Sequence, residues 1–203
     1  MKKRNYNQLC RVDARGKFFE VLDSSFNIDR VKFVFCEYGG QDNKQKGMLE
    51  YYLDMPDFFE LHEILQHPGL KKTVAERVQK NDLYTALKWE KAGGKRADGK
   101  LIARRIKLLP SKMKDSVMLQ AEIGEGAEGN NGGIVFKGSP QKFIGVPVEI
   151  TKLKSYLEYC MLMVHGYYNV YSHLKYGKDA KKRVIAEREK FFTKEDGNKE
   201  ESA

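Results

Sequence analysis

The sequence predicts an α+β protein made of two halves, each an antiparallel β-sheet followed by a helix. Several runs alternate apolar and polar residues with a period of two, which is the pattern of strands that bury one face. Apolar residues at three- and four-residue steps follow these runs, once in the first third of the chain and once later. Because this order occurs twice within 203 residues, we interpret the chain as a pseudo-repeat of element order, with negligible identity between the halves.

The first predicted half covers residues 8–70 and ends in a helix. A first strand is expected near Leu9–Val12, and Gly39–Lys44 form a polar turn whose residue types tolerate unusual backbone angles. Asp54 is the predicted N-cap of a helix at Pro56–Gln66, where the proline takes an early helical position. Alternation and β-propensity predict three further strands: Lys17–Leu22, Arg30–Tyr38 and Gly47–Met55.

The second predicted half covers residues 82–177 and ends in a longer helix, which begins at Thr151. Between the halves, Leu70–Gln79 is either a short helix or a connector. Loops are expected at Gly93–Lys100, which contains a hairpin-like Asp-Gly, and at the Gly-rich Gly124–Gly133. The predicted strands are Leu83–Lys91, Leu101–Leu109, Ser116–Ile123, Ile134–Lys137 and Lys142–Val148, the last at a sheet edge because of Gly145 and Pro147.

Both halves belong to one predicted domain, residues 1–177. From Lys178 the sequence becomes strongly charged, which predicts a helix extension that frays into a disordered tail over residues 178–203. The acidic end Glu195–Glu201 is a candidate for recruiting a protein partner or for competing with DNA for its binding surface.

The composition predicts a cytoplasmic binding protein. The three cysteines, at Cys10, Cys36 and Cys160, give neither a disulfide framework nor a metal-ligand spacing, which favours a reducing compartment. No apolar run approaches ~20 residues, so no membrane span is expected. The four histidines are scattered, and the run Gly124–Gly129 lacks the strand–helix context and the Lys-Ser/Thr pair of a phosphate loop. We therefore predict no enzyme activity, no metal and no cofactor.

The net charge of +9 is concentrated in the middle of the chain. Residues 71–112 carry 13 Lys and Arg against 4 Asp and Glu, an excess of +9, while residues 1–70 have a balance of −1 and residues 113–203 one of +1. A local excess of cations favours polyanion binding, because neutralised phosphates release counterions.

The strand-to-helix junctions carry a resemblance to a known family. They read GMLEYYLDMPDFFELHEIL (Gly47–Leu65) and KFIGVPVEITKLKSYLEYC (Lys142–Cys160). With the order of elements over residues 8–175, they resemble the Whirly-type single-stranded DNA-binding proteins and are similar to dimeric coactivator-type domains, in which each subunit supplies one half. The Lys-Gly-Lys-Ala-Ala motif of the plant Whirly proteins is not found here, and homo-oligomerisation stays open. The alternative fold is an OB-type barrel with appended helices.

The resemblance implies that strand faces offer aromatic and basic side chains to a single strand. Such binding needs a basic groove with aromatic platforms, and stacking contributes roughly 1–3 kcal/mol per base. We therefore expect sequence-tolerant binding of single-stranded DNA, in replication, recombination or transfer. The alternatives are RNA binding and a protein–protein adaptor that uses the long C-terminal helix. The candidate residues are Lys17, Phe18, Lys32, Tyr38, Lys44, Lys46, Tyr52, Lys88, Trp89, Lys95, Arg96, Arg104, Arg105, Lys107, Phe136 and Lys137.

Overall fold

The fold is described from a computed structural model, which covers residues 7–39, 44–130, 132–171 and 182. These residues form an α+β structure with two antiparallel sheets and three helices, which confirms the predicted class. The chain divides into two units, Met1–Met161 and Leu162–Ala203. Both sheets belong to the first unit, and residues 162–171 of the second unit are helical. The predicted tail at residues 178–203 lies outside the described residues, apart from Lys182.

The first sheet is a meander of four strands in chain order. They are β1 (Gln8–Ala14), β2 (Lys17–Leu22), β3 (Arg30–Tyr38) and β4 (Gln45–Asp54), and they are followed by α1 (Met55–Gln66) and α2 (Leu70–Gln79). Asp54 is the N-cap of α1 and Pro56 lies in its first turn, as predicted. The Asp54 carboxylate makes no capping bond; it accepts a 2.7 Å hydrogen bond from Arg30 instead.

The second sheet contains five strands, and one of the two sheets curls into a half-barrel. The strands are β5 (Glu90–Ala97), β6 (Lys100–Pro110), β7 (Ser116–Glu128), β8 (Ile134–Phe136) and β9 (Lys142–Glu149). Both β8 and β9 pair with β7, and β9 has no other strand partner among the described residues, which confirms its predicted edge position. A third helix, α3, starts at residue 150 and continues through residue 171. Because the strands form two sheets, the alternative of one closed OB-type barrel is wrong.

The hydrophobic core of the first unit lies between the inner faces of the two sheets. In the first sheet Phe19 and Phe35 pair across β2 and β3 and are fully buried. In the second sheet Ile106, Ala121 and Ile144 form one row across β6, β7 and β9, each at most 2% exposed. Strand β9 crosses β1, β2 and β3, so the sheets bury these rows against each other. Residues such as Phe58 of α1 and Leu157 of α3 complete the core.

Two loop predictions and one strand prediction need correction. The predicted strand at Leu83–Lys91 is wrong, because β5 begins only at Glu90. Lys88 has a φ of 58°, a left-handed conformation that interrupts an extended strand. The predicted loops at Gly93–Lys100 and Gly124–Gly133 are wrong for their first residues, since β5 continues to Ala97 and β7 to Glu128. The Asp98-Gly99 turn occurs as predicted, with both residues at positive φ.

Within the described residues, none of the helices has the length and apolar character needed to cross a membrane.

Candidate nucleic-acid interface

The outer face of the first sheet carries four of the predicted residues, Phe18, Lys32, Tyr38 and Tyr52. Lys32 pairs with Tyr52 and Phe18 with Cys36 in rows that alternate with the core rows, so these side chains point away from the core. The rings of Phe18 and Tyr38 are tilted against each other with centroids 6.1 Å apart. Tyr52 is 38% exposed. Phe18 and Tyr38 are half-buried, and the Arg11 guanidinium covers the Phe18 ring at 3.6 Å, so Tyr52 is the most open of the three rings on this face.

Carboxylates neutralise the cations of this aromatic face. The Lys32 ammonium lies 2.7 Å from the Glu50 carboxylate and 5.4 Å from the centre of the Tyr52 ring. Burial alone would lower the pKa of Lys32, but its hydrogen bonds to Glu50 and Tyr52 outweigh burial and raise that pKa. Arg11 is likewise bound by Asp13 at 2.8 Å. The face supplies rings for stacking, but its paired cations contribute little net charge for phosphates.

The outer face of the second sheet holds a buried ion cluster. Arg105 and Lys107 each lie 2.6 Å from the carboxylate of Glu122, whose side chain is only 3% exposed. Gln120 donates a further hydrogen bond of 2.6 Å to that carboxylate. Burial alone would raise the pKa of Glu122, but the hydrogen bonds from Lys107, Arg105 and Gln120 lower it overall. Arg105 and Lys107, predicted as phosphate contacts, are thus held by a carboxylate inside the protein.

Strand β8 covers part of this outer face. The side chain of Ile134 lies over two glycines: a Cβ atom on Gly94 would be 2.5 Å from Ile134 Cβ, and one on Gly126 would be 2.6 Å from Ile134 Cγ2. Phe136 covers Gly124 in the same way and lies 5.1 Å from the Arg105 guanidinium. Phe136, predicted as a stacking platform, is therefore engaged by the protein itself.

The prediction that Trp89 stacks on bases is wrong for this structure. Trp89 is 1% exposed, and its indole N–H donates a 3.3 Å hydrogen bond to the backbone carbonyl of Asp57 in α1. Lys88, the residue directly before Trp89, is left-handed, and the Trp89 carbonyl accepts a 3.2 Å hydrogen bond from the backbone N–H of Leu108 in β6. A side chain packed in this way has no free ring face for a nucleobase.

The remaining predicted cations are distributed around the molecule. Lys17 lies 3.6 Å from Glu37, and Lys137 lies 3.0 Å from Glu125. Three further predicted cations are exposed: Lys44, Lys46 and Lys88. The side chains of Lys95 and Arg96 lie outside the described part of the chain.

A groove of about 870 Å³ lies at the far end of the second sheet, where β6, β7 and β9 extend beyond the core. Its apolar part comes from Leu101, Ile102 and Ile123, and its cations are Lys100 and Lys142. Neither lysine forms an ion pair with a described residue. The groove reaches β4, because the Lys142 ammonium lies directly against the backbone of Gly47 and leaves no room there for a Cβ atom. The remaining lining residues are Gly99, Gly124, Glu125, Gly126 and Gln141.

Arg104 links this groove to a second pocket at the seam between the sheets. It shares a row across β6, β7 and β9 with Ile123 and Lys142, which line the groove. Its guanidinium donates a 3.2 Å hydrogen bond to the Glu50 carbonyl of β4. Within the described residues Arg104 has no carboxylate partner. The seam pocket, of about 320 Å³, is lined by Arg30, Tyr51, Tyr52, Asp54, Asp57, Ala92, Gly93, Gly94 and Arg104.

Of the residues that line the groove and the seam pocket, the sequence predictions include Arg104 and Tyr52 but not Lys100 or Lys142. Both missed lysines are the first residues of strands. A signal existed for Lys100, because it directly follows the Asp-Gly turn within the basic segment. No local signal marked Lys142, since its position beside Gly47 depends on the packing of one sheet on the other.

Neither a metal-binding cluster in the described part of the chain nor a match to a known protein assigns a function to this site. Among the described residues, no three His, Cys, Asp or Glu side chains come together in a group able to hold a metal ion. Compared with models of known protein families and with curated proteins, the chain matches none. The assignment of function therefore depends on the geometry of the site.

Proposed function

We propose that the protein binds single-stranded DNA with little sequence preference and acts in replication, recombination or transfer. The observation that carries this proposal is the groove at the end of the second sheet. Its cations Lys100 and Lys142, and Arg104 beside it, have no carboxylate partner among the described residues. Elsewhere cations such as Arg105 and Lys107 are already neutralised. A phosphate backbone gains most from cations that it need not take from a carboxylate.

The distribution of aromatic rings also favours a single strand. Tyr52, on the solvent-exposed side of β4, lines the seam pocket next to Arg104. Stacking on such a ring requires an unpaired base, which a duplex keeps inside its own stack. A groove of this size accommodates a few nucleotides of one strand. RNA is the alternative ligand, and a direct comparison separates the two.

The arrangement of the sheets supports the proposed Whirly-like pseudo-repeat. A meander of four strands precedes α1, and the strands of the second sheet precede α3. On this proposal both halves are copies of one sheet-plus-helix plan, and the protein works as a cytoplasmic binding protein without a cofactor. The three free, buried cysteines support a reducing location.

The experiment that tests the function is a fluorescence-anisotropy titration. Labelled oligo-dT, oligo-rU of equal length and a duplex of the same length are compared at about 50 and 200 mM salt. We expect the tightest binding for oligo-dT and a steep loss of affinity with added salt. Equal affinity for the duplex, or no binding to any of the three, would contradict the proposal. Tighter binding to oligo-rU would assign the protein to RNA.

A second candidate, a protein–protein adaptor, is favoured by one observation on the second unit. Leu162, Met163 and Val170 of its helix are 64%, 40% and 62% exposed. Exposed apolar side chains of this size often mark a surface for another protein or for a second copy of the chain. Light scattering of the purified protein, with Leu162→Glu/Val170→Glu as the variant, tests self-association through this surface. A wild-type monomer would contradict self-association.

A further inference from the structure

We propose a specific path for the bound strand: it runs from the groove across Arg104 into the seam pocket, with phosphates on Lys142 and Arg104 and one base stacked on Tyr52. This inference rests on the proposed function and deepens it, since it assigns each contact to a residue. The groove and the seam pocket meet at Arg104. This residue shares a row with Ile123, which lines the groove, and itself lines the seam pocket.

The two cations of the path lie at a suitable spacing for successive contacts to one backbone. Arg104 in β6 and Lys142 in β9 occupy the same row, with only Ile123 of β7 between them. Neighbouring strands are about 4.8 Å apart, so two strand spacings place the backbones of these residues roughly 10 Å apart. Ile123 between them offers an apolar surface and no competing charge. The nearest acid of the groove, Glu125, is bound by Lys137 at 3.0 Å.

Arg104 also points the path towards the aromatic ring. Its guanidinium is anchored on the Glu50 carbonyl, two residues before Tyr52 along β4. Two residues of a strand span about 7 Å, so a base next to a phosphate on Arg104 is within reach of Tyr52. A single hydrogen bond to Glu50 leaves other guanidinium N–H groups available as donors.

Tyr52 is suited to receive this base because its ring already attracts a cation and is partly open. Lys32 lies 5.4 Å from the ring centre, and its ammonium is held by Glu50. A base can therefore stack on the exposed part of the Tyr52 ring without displacing the Lys32 ammonium. Other aromatic residues are more exposed, including Tyr84 at 84% and Phe143 at 58%, but neither lines the groove or the seam pocket. The proposed path therefore selects Tyr52 over aromatic rings that are more exposed.

The first test compares salt dependence in matched variants. Arg104→Gln/Lys142→Gln removes two charges from the path, and Lys72→Gln/Lys80→Gln removes two exposed charges on and next to α2. For a single strand each lost phosphate contact lowers the slope of log K against log salt by about 0.7, so the path variant loses about 1.4 and at least tenfold in affinity at low salt. We expect the control variant to keep the wild-type slope.

The second test separates stacking from charge. Tyr52→Leu should weaken binding to oligo-dT roughly tenfold without changing the salt slope, and Tyr52→Phe should retain wild-type affinity. Photocrosslinking with 5-iodouracil in the oligonucleotide, followed by mass spectrometry, should identify Tyr52. A crosslink at Tyr84 or Phe143 in its place would overturn the path. Circular dichroism and thermal melting confirm that each variant folds.

The outcomes distinguish this inference from the proposed function. If the wild-type protein binds none of the oligonucleotides, both the proposed function and the proposed path are wrong. If the wild type binds oligo-dT but the Arg104→Gln/Lys142→Gln variant has an unchanged slope, only the path is wrong. The path is supported if the path variant loses slope, Tyr52→Leu loses affinity alone, and the α2 control changes neither.

Discussion

Arg105 of β6 donates a 2.7 Å hydrogen bond from Nε to the carboxylate of Glu122 on the neighbouring strand β7. Lys107 binds the other oxygen of the same carboxylate at 2.6 Å. One buried acid thus holds two cations, and both of these cations were predicted as phosphate contacts. The geometry assigns them first to the stability of the second sheet.

Removing the carboxylate of Glu122 is expected to destabilise the protein. Glu122→Gln keeps the size of the side chain but leaves two largely buried cations without a counter-charge, which costs roughly 3 kcal/mol in the free energy of unfolding. Urea unfolding followed by circular dichroism measures this loss. The matched control is Glu125→Gln on the same strand, because its partner Lys137 is 65% exposed, and such surface pairs contribute at most about 1 kcal/mol. Equal losses in the two variants would contradict the prediction.

The same carboxylate predicts a loss of stability in acid. The pKa of Glu122 is lowered in the folded protein, because the hydrogen bonds from Lys107, Arg105 and Gln120 outweigh the opposing effect of burial. Its stabilisation is therefore present above the unfolded pKa of about 4.3 and is lost as the pH falls through the lower folded value. As the pH falls from about 5 through the unfolded pKa and then through the lower folded pKa, the wild type should lose more stability than Glu122→Gln. Unfolding midpoints measured across this range should converge; parallel pH profiles would count against the assignment.

Trp89 is predicted to report on the core and to be silent towards DNA. It is the only tryptophan of the chain and is 1% exposed, so its fluorescence should resist quenching by iodide in the native protein and become quenchable in urea. Adding oligo-dT should leave the emission maximum unchanged. Trp89→Ala should cost roughly 3–5 kcal/mol of stability, as deletion of a large buried ring does. A shift of the emission maximum on DNA binding would restore Trp89 as a stacking platform.

The fold class was predictable because its signals are local. The alternation in Arg30–Tyr38 and the helical spacing after Pro56 each lie within a dozen residues, and both elements occur where they were expected. The second half was less predictable where glycines lie inside strands. Gly124 and Gly126 read as loop residues, but they belong to β7 because Phe136 and Ile134 occupy the space that their side chains would fill. The requirement for glycine at these two positions comes from β8 and cannot be read from the β7 segment alone.

The candidate site was less predictable than the fold because charge in a sequence carries no information about its partners. Arg104 and Arg105 are adjacent and indistinguishable by type. In the sheet they point to opposite faces, where Arg104 reaches a backbone carbonyl of β4 and Arg105 meets a buried carboxylate. Alternation along β6 predicts that their faces differ. Only the pairing with β7 shows that Glu122 lies opposite Arg105.

The packing of β8 on the second sheet predicts a strict requirement for glycine. In Gly94→Ala the new methyl group would lie 2.5 Å from Ile134 Cβ and 2.8 Å from the backbone oxygen of Ile102. Since backbone cannot rotate away as a side chain can, we expect a loss of about 1–3 kcal/mol in the free energy of unfolding. The control is Gly133→Ala, where no atom lies within 4 Å of the new methyl group. Chemical unfolding of both variants measures the two free energies of unfolding. A wild-type value for Gly94→Ala would mean that β8 does not pack on Gly94 in this way.

The last prediction concerns the thiols of Cys10 in β1 and Cys160 in α3. The Cys160 thiol donates a 3.9 Å hydrogen bond to Cys10 Sγ, and both residues are buried. This bond, together with burial, raises the pKa of Cys160 well above its ordinary value. Because the thiolate is the reactive form, N-ethylmaleimide should modify Cys160 at least about tenfold more slowly in the native protein than in urea. Mass spectrometry of timed samples gives both rates at each cysteine. Equal rates would show that α3 leaves β1 often enough to expose the pair, which would contradict the packing of α3 as part of the core.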